Sequence, residues 1–134
     1  MKKFFLLIAV LSFTAGLVPA FAQEPQEPNV PDMAAKQTES MSNMLKLEYY
    51  QEFLVDSVLQ YNYQQMLDEL NLAKKGGASN SESYQVISDK WMDACDKAYE
   101  KIFTPEQWAK YLKSQYGKEK KKRDKRISDR VVRK

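Results

Sequence analysis

Histidine is absent from this chain of 134 residues, and cysteine occurs once. Without an imidazole, neither a Ser-His-Asp nor a Cys-His nucleophile system can be built, and no His-based zinc or haem site is possible. A single Cys excludes an internal disulfide framework and any Cys-cluster metal site. Sustained period-two alternation is also missing, which removes the signal for a half-buried strand. From Glu48 to Lys74 there is neither Gly nor Pro, so nothing interrupts a helix there. These absences point to an all-α fold without catalytic or metal chemistry, and no cofactor is expected.

Charge is present in both signs but unevenly placed. The formal net charge of +3 hides a split. Residues 23–109 hold 7 basic and 15 acidic side chains, a net of −8, whereas residues 110–134 hold 12 basic and 3 acidic, a net of +9.

The chain opens with Met1, Lys2 and Lys3, continues with an apolar run from Phe4 to Val18, and reaches the small-x-small ending Ala20, Phe21, Ala22. This three-part pattern is that of a secretory signal peptide, with cleavage expected after Ala22 and a periplasmic destination. The apolar run is shorter than the ~20 residues a spanning helix needs. Residues 23–32 place three prolines among polar residues and read as an extended linker.

Four helices are expected over residues 33–117. Asp32 is placed to cap the first, whose apolar positions include Met33, Met41, Met44 and Leu45. The second, from about Glu48 to Lys74, repeats Tyr50, Leu54, Val58 and Tyr61 at helical spacing. Gly76 and Gly77 break it, and Asn80 or Ser81 can cap the third. That helix carries a stripe of Tyr84, Ile87, Trp91, Ala94, Ala98 and Ile102, with Cys95 beside it. Thr104, Pro105 and Gln107 combine an N-cap, a first-turn proline and a capping-box partner. The fourth helix then runs with Trp108, Tyr111 and Leu112 up to Gly117. With so little apolar surface, the helices should form an antiparallel hairpin-like layer with one face poorly covered, open to a partner or a second copy.

Two short segments resemble the signature of the LTxxQ-motif family of periplasmic proteins, the Spy/CpxP-like group. The second copy is Phe103, Thr104, Pro105, Glu106, Gln107, with Phe in place of Leu. The first is Leu47, Glu48, Tyr49, Tyr50, Gln51, where Glu48 replaces Thr. The similarity spans roughly residues 33–116. It implies antiparallel helical hairpins paired into a curved homodimer, whose concave side holds unfolded clients in chaperone members and serves envelope-stress sensing in others. Zinc-responsive relatives use His-rich segments, so metal binding is not carried over. Since Glu is not a preferred N-cap, either the first and second helices run together through Glu48, or Ser42 or Asn43 caps upstream.

The candidate client-binding residues are Met33, Met41, Met44, Tyr49, Tyr61 and Tyr63, a soft and amphipathic set, with packing of helix seams as the alternative. The motif residues Leu47, Gln51, Phe103, Thr104, Pro105 and Gln107 read first as helix-capping structure. Trp91 and Trp108 read as core, and Cys95 as a small buried hydrophobe with an intermolecular disulfide as the alternative. Asp89, Asp93, Asp96 and Glu100 interleave with lysines and read as a solvated, ion-paired helix face. Residues 118–134 form a basic tail with three readings. They are a frayed, solubilising extension; a contact to an anionic membrane surface or an envelope sensor through Lys120, Lys121, Lys122, Arg123, Lys125 and Arg126; or a nucleic-acid contact, which export and the lack of interleaved aromatics argue against. The charge split adds that the tail could fold back on the acidic body. The leading expectation is a non-enzymatic, ATP-independent holdase for unfolded or partly folded proteins, or an envelope-stress modulator. The alternative is a structural or regulatory envelope factor that docks through its tail.

Overall fold

The computed structural model describes residues 26–134. The expected signal peptide, its cleavage point and the first residues of the linker lie outside these described residues. Five helices follow in order, α1 Val30–Leu45, α2 Tyr49–Lys75, α3 Ser81–Ile102, α4 Pro105–Lys113 and α5 Gln115–Val132. Among the described residues there is no strand, and no helix is long and apolar enough to cross a membrane.

The chain enters α1 three residues before the expected start. Asn29, not Asp32, is the N-cap, and its Oδ1 accepts the Asp32 N–H at 3.1 Å. Pro31 is compatible with this because a first-turn amide has no intrahelical acceptor to lose. The linker therefore ends at Asn29, and Val30 is already buried in the core.

α1 ends in a left-handed Lys46 (φ 56°), whose N–H bonds Ser42 C=O at 2.8 Å. The backbone is extended again at Glu48 before α2 begins. Neither sequence alternative for this point holds, since the helices do not run together and Ser42 caps nothing. Its hydroxyl donates to Glu52 instead. Glu48 occupies the N-cap position, and Gln51 supplies the cap by reaching back to the Glu48 N–H at 2.9 Å.

α2 and α3 lie side by side. Glu69 meets Lys90 and Trp91 near one end and Gln51 meets Ile102 near the other, so the two run in opposite directions. The turn between them uses Gly77 at φ 82°, a conformation that L side chains rarely adopt, and Asn80 caps α3 through the Ser83 N–H at 2.8 Å. α1 packs on α2, and α5 packs on both α3 and α4.

The core is a thin seam made of Val30, Ala34, Met41, Leu45, Val55, Leu59, Tyr63, Cys95, Tyr99, Phe103 and Tyr111. An aromatic chain closes one end, with Trp108 and Tyr116 each stacked on Tyr111, and Tyr99 on Phe103, at centroid distances of 5.3, 5.9 and 5.4 Å. Trp108 is half-buried against this cluster, while Trp91 spends its indole N–H on Glu69 at 2.7 Å. Cys95 is fully buried, and burial pushes its thiol up to about 12. A thiol in that position is out of reach of a second chain, which removes the intermolecular disulfide from the folded form.

The expected fourth helix is in fact two. α4 stops at Lys113, Ser114 is extended at ψ 177°, and α5 starts at once. Gly117 does not end a helix; it sits buried in the first turn of α5, where its Cα lies against the Leu112 backbone. A Cβ at this position would collide with the Leu112 carbonyl and Cα. The elbow between α4 and α5 therefore requires a residue without a side chain. Gly117→Ala is expected to destabilise the chain by about 1–3 kcal/mol through overpacking, read as a lower urea midpoint. Gly76→Ala, where a Cβ finds ordinary contact distances of 3.4 and 3.6 Å, is expected to stay within about 0.5 kcal/mol.

Candidate functional site: a paired amide centre, an outward aromatic face and a latched basic helix

The two motif copies meet. Gln51 Nε2 donates to Gln107 Oε1 at 2.7 Å, and Gln107 Nε2 donates to Gln51 Oε1 at 3.1 Å. Each oxygen also caps its own helix, Gln51 on the Glu48 N–H and Gln107 on the Thr104 N–H, both at 2.9 Å. Each nitrogen further donates to the carbonyl just before the other motif, Gln51 to Ile102 at 3.1 Å and Gln107 to Lys46 at 3.5 Å. The pattern is its own mirror under exchange of the two copies. Thr104 completes the second box by accepting the Gln107 N–H at 3.2 Å, and Pro105 opens α4 behind it. Leu47 and Phe103 pack into the core on either side.

This arrangement explains why Gln stands at both position 51 and position 107 of this chain. A capping box needs only an acceptor, which Glu supplies equally well. The cross-link needs an acceptor and two donors on the same side chain, and only a primary amide has both. Gln51 is 1 % exposed, so its hydrogen bonds are made away from water, where an unmade bond costs most.

The six candidate client-binding residues do not form one surface. Met41 and Tyr63 belong to the core, Met44 is half-buried against it, and burial pushes the Tyr63 phenol up to about 12. Met33, Tyr49 and Tyr61 are exposed. The second helix forms where its spacing predicted, as α2, and the structure adds which of its faces packs. The face that packs inward carries Gln51, Val55, Leu59, Asn62 and Tyr63, and the stripe of Tyr50, Leu54 and Tyr61 points outward with half-buried Val58 at its edge. Tyr49 (87 %), Phe53 (68 %), Tyr61 (62 %) and Tyr50 (56 %) are the most open of this face. Phe53, Tyr50 and Leu54 were not among the expected site residues, although the helical repeat at 50, 54 and 61 was the signal that could have marked them.

The acidic positions of α3 are also placed differently from the expected solvated face. Asp93 does pair with Lys97 at 2.7 Å near the surface, but Asp89 and Asp96 are each 2 % exposed. Their partners come from α5. Arg126 holds Asp89 with two hydrogen bonds, Nε at 3.0 Å and an NH2 nitrogen at 2.8 Å, and Arg130 adds a contact at 2.9 Å. Asp96 takes Arg123 and the Tyr111 hydroxyl, the latter at 2.7 Å. Burial raises the Asp89 carboxyl, but hydrogen bonds from Arg126 and Arg130 and the Arg126 charge outweigh it and hold the group below its ordinary value. Burial, followed by the nearby Asp96 charge, raises the Tyr111 phenol.

Residues 118–134 are therefore not a frayed extension, since α5 is helical as far as Val132 and is latched on α3 by Arg123, Arg126 and Arg130. Of the six basic candidates, Arg123 is buried and Arg126 is engaged with Asp89, so neither faces outward as a contact. Lys120 is partly covered and paired with Asp124 at 2.5 Å, and Lys122 pairs with Glu119 at 2.9 Å. Lys121 and Lys125 are exposed.

Gln107→Glu keeps the local cap and the bond accepted from Gln51 Nε2 but loses both bonds donated by Gln107 Nε2, so a loss of about 1–3 kcal/mol is expected from the unmade buried bond; urea unfolding measures it, and Gln107→Ala, which loses the cap as well, should cost at least as much. The Asp89 latch has a definite pH sense. A carboxyl held low in the folded chain adds stability that is complete above its unfolded value near 3.8 and disappears as pH falls through the lower folded value. Protection of the α5 amides, taken relative to the intrinsic exchange rate at each pH, should therefore fall as pH is lowered below about 4, and Asp89→Asn should remove that dependence.

Comparison with protein-family models, with curated proteins and with solved structures finds no match for this chain.

Proposed function

We propose that the chain is an exported, non-enzymatic binding protein that captures unfolded or partly folded proteins without ATP, in the manner of the Spy/CpxP-like holdases or stress modulators. The observation that carries this reading is the outward aromatic face of α2, made by Tyr49, Tyr50, Phe53, Leu54 and Tyr61. Tyr and Phe side chains present large amphipathic surfaces at low conformational cost, which suits weak and sequence-tolerant contact with exposed chain segments. Apolar patches left open on a helix are interaction sites far more often than accidents. The meeting of the two motif copies at Gln51 and Gln107 supports the likeness to the LTxxQ family, because both copies open helices and share one centre.

The same reading includes an antiparallel helical layer paired into a homodimer, with the aromatic faces of two copies bordering one concave surface. Periplasmic residence follows from the signal-peptide pattern and belongs to this proposal.

Suppression of aggregation of a chemically denatured test protein, at near-equimolar ratio and without nucleotide, tests it directly. The parent chain is expected to keep the test protein in solution, and the Phe53→Ser, Tyr61→Ser double variant to require a several-fold higher amount for the same effect. Both positions lie outside the core, so the helical signal of that variant should match the parent. Aggregation unaffected by the parent chain would reject the holdase reading. A mass in solution of twice the chain would support the paired form.

A further inference from the structure

α5 divides its cations by type. The arginines turn inward, with Arg123 on Asp96 and Arg126 and Arg130 on Asp89. The lysines Lys118, Lys121, Lys122 and Lys125 share an exposed face beside them at helical spacings of three, one and three. A shallow groove of about 660 Å³ runs along them, lined by Gln115 and these four side chains. Its walls are the methylene stems of the lysines, with the ammonium groups at their ends. Val132 continues the same face one helical repeat later and is 83 % exposed. Along the helix, Lys118 and Val132 are about 21 Å apart, at 1.5 Å per residue.

We propose that this lysine face of α5 docks the protein on a membrane surface carrying anionic phospholipid headgroups. Three features select that partner. The inward arginines fix the helix, Arg126 by bidentate pairing with Asp89 and Arg123 and Arg130 by one contact each, so the outer lysines are presented on a rigid rod and need no ordering on contact. Their arrangement is a straight single face, matched to a plane. Long stems under charged heads, followed by an open valine, fit the boundary between headgroup phosphates and acyl chains, where lysines extend to the phosphates and apolar atoms sit deeper. A nucleic-acid contact would call for aromatic side chains among the cations to stack bases, and among the described residues of α5 the one aromatic, Tyr116, is stacked on Tyr111. Three acidic groups lie along the helix, Glu119 bonded to Lys122, Asp124 bonded to Lys120 and the exposed Asp129. Surface pairs of the first kind are weak enough to exchange for a phosphate.

The experiment compares the full chain with its Lys118→Gln, Lys121→Gln, Lys122→Gln, Lys125→Gln variant by co-sedimentation with vesicles of phosphatidylcholine alone and of phosphatidylcholine with phosphatidylglycerol. Any contribution of the first segment, with its Lys2 and Lys3, is common to parent and variant on each vesicle type. None of these lysines makes a buried contact, and an unchanged urea midpoint for the variant verifies that the latch is intact. The gain in affinity of the parent on adding phosphatidylglycerol should be about 100-fold at low salt and should shrink as salt rises through physiological strength. The variant should lose most of that gain. Equal binding of parent and variant to the anionic vesicles would overturn the proposal. So would displacement of the parent from vesicles by duplex DNA at equal phosphate, which would assign the face to nucleic acid. Aggregation suppression does not enter this measurement, so failure of either proposal leaves the other standing.

Discussion

One pair of side-chain amides organises the molecule. Gln51 and Gln107 between them satisfy two helix starts, the end of α3 and the exit from α1, and they do so while bonding each other. Every donor and acceptor of both amides is used, which is what burial demands of polar groups. The consequence is geometric. Four helix termini from distant parts of the sequence converge on one point, and the direction in which each helix leaves it is fixed by the hydrogen bonds there. α2 and α3 can then lie alongside each other with a modest apolar seam, because their relative register is already set at one end.

The other end is set by charge. A chain with few large aliphatic residues in its interior places two aspartates on the inner side of α3 and answers them with three arginines from α5. Taking these groups out of water is costly, and a buried pair is a poor source of net stability compared with well-packed apolar residues. What it does supply is discrimination, because α5 can settle on α3 only where the guanidinium groups meet the carboxylates. The opposed charges of body and tail are thus matched within one chain. On the inward face of α5 three arginines meet two aspartates, and the lysines of the outward face meet no such buried partner.

How much of this could be read beforehand differs by element and for physical reasons. The helical class, the Gly76–Gly77 break and the Thr104 start were legible, because caps and breaks are local chemistry and do not depend on what packs where. The inner face of α2 was not. Its two polar members, Gln51 and Asn62, mimic a solvent side, yet both are buried, Asn62 by donating back to the Val58 carbonyl at 2.8 Å. Aromatic residues on the outer side meanwhile mimic a core stripe. The ordering of α5 was hidden by composition, since a run of lysine and arginine reads as a solvated tail unless a partner is known. A partner was nevertheless written in the chain. Asp89 and Asp96 are seven apart, as are Arg123 and Arg130, and two helices running in opposite directions bring such sets together. The elbow at Ser114 had no signal of its own, and Gly117 marked it only once the approach of the Leu112 backbone was visible.

Cys95 lies at the centre of this construction, fully buried among the residues that join α2, α3 and α4, with its thiol pushed up to about 12. Thiolate is the reactive form, and the folded chain holds almost none of it in reach of any reagent. Reactivity therefore measures something other than the cysteine: it counts how often the helices part. In an oxidising surrounding the protein carries one thiol as a stopwatch on its own opening, silent while the amide centre and the arginine latch hold, and started when either lets go.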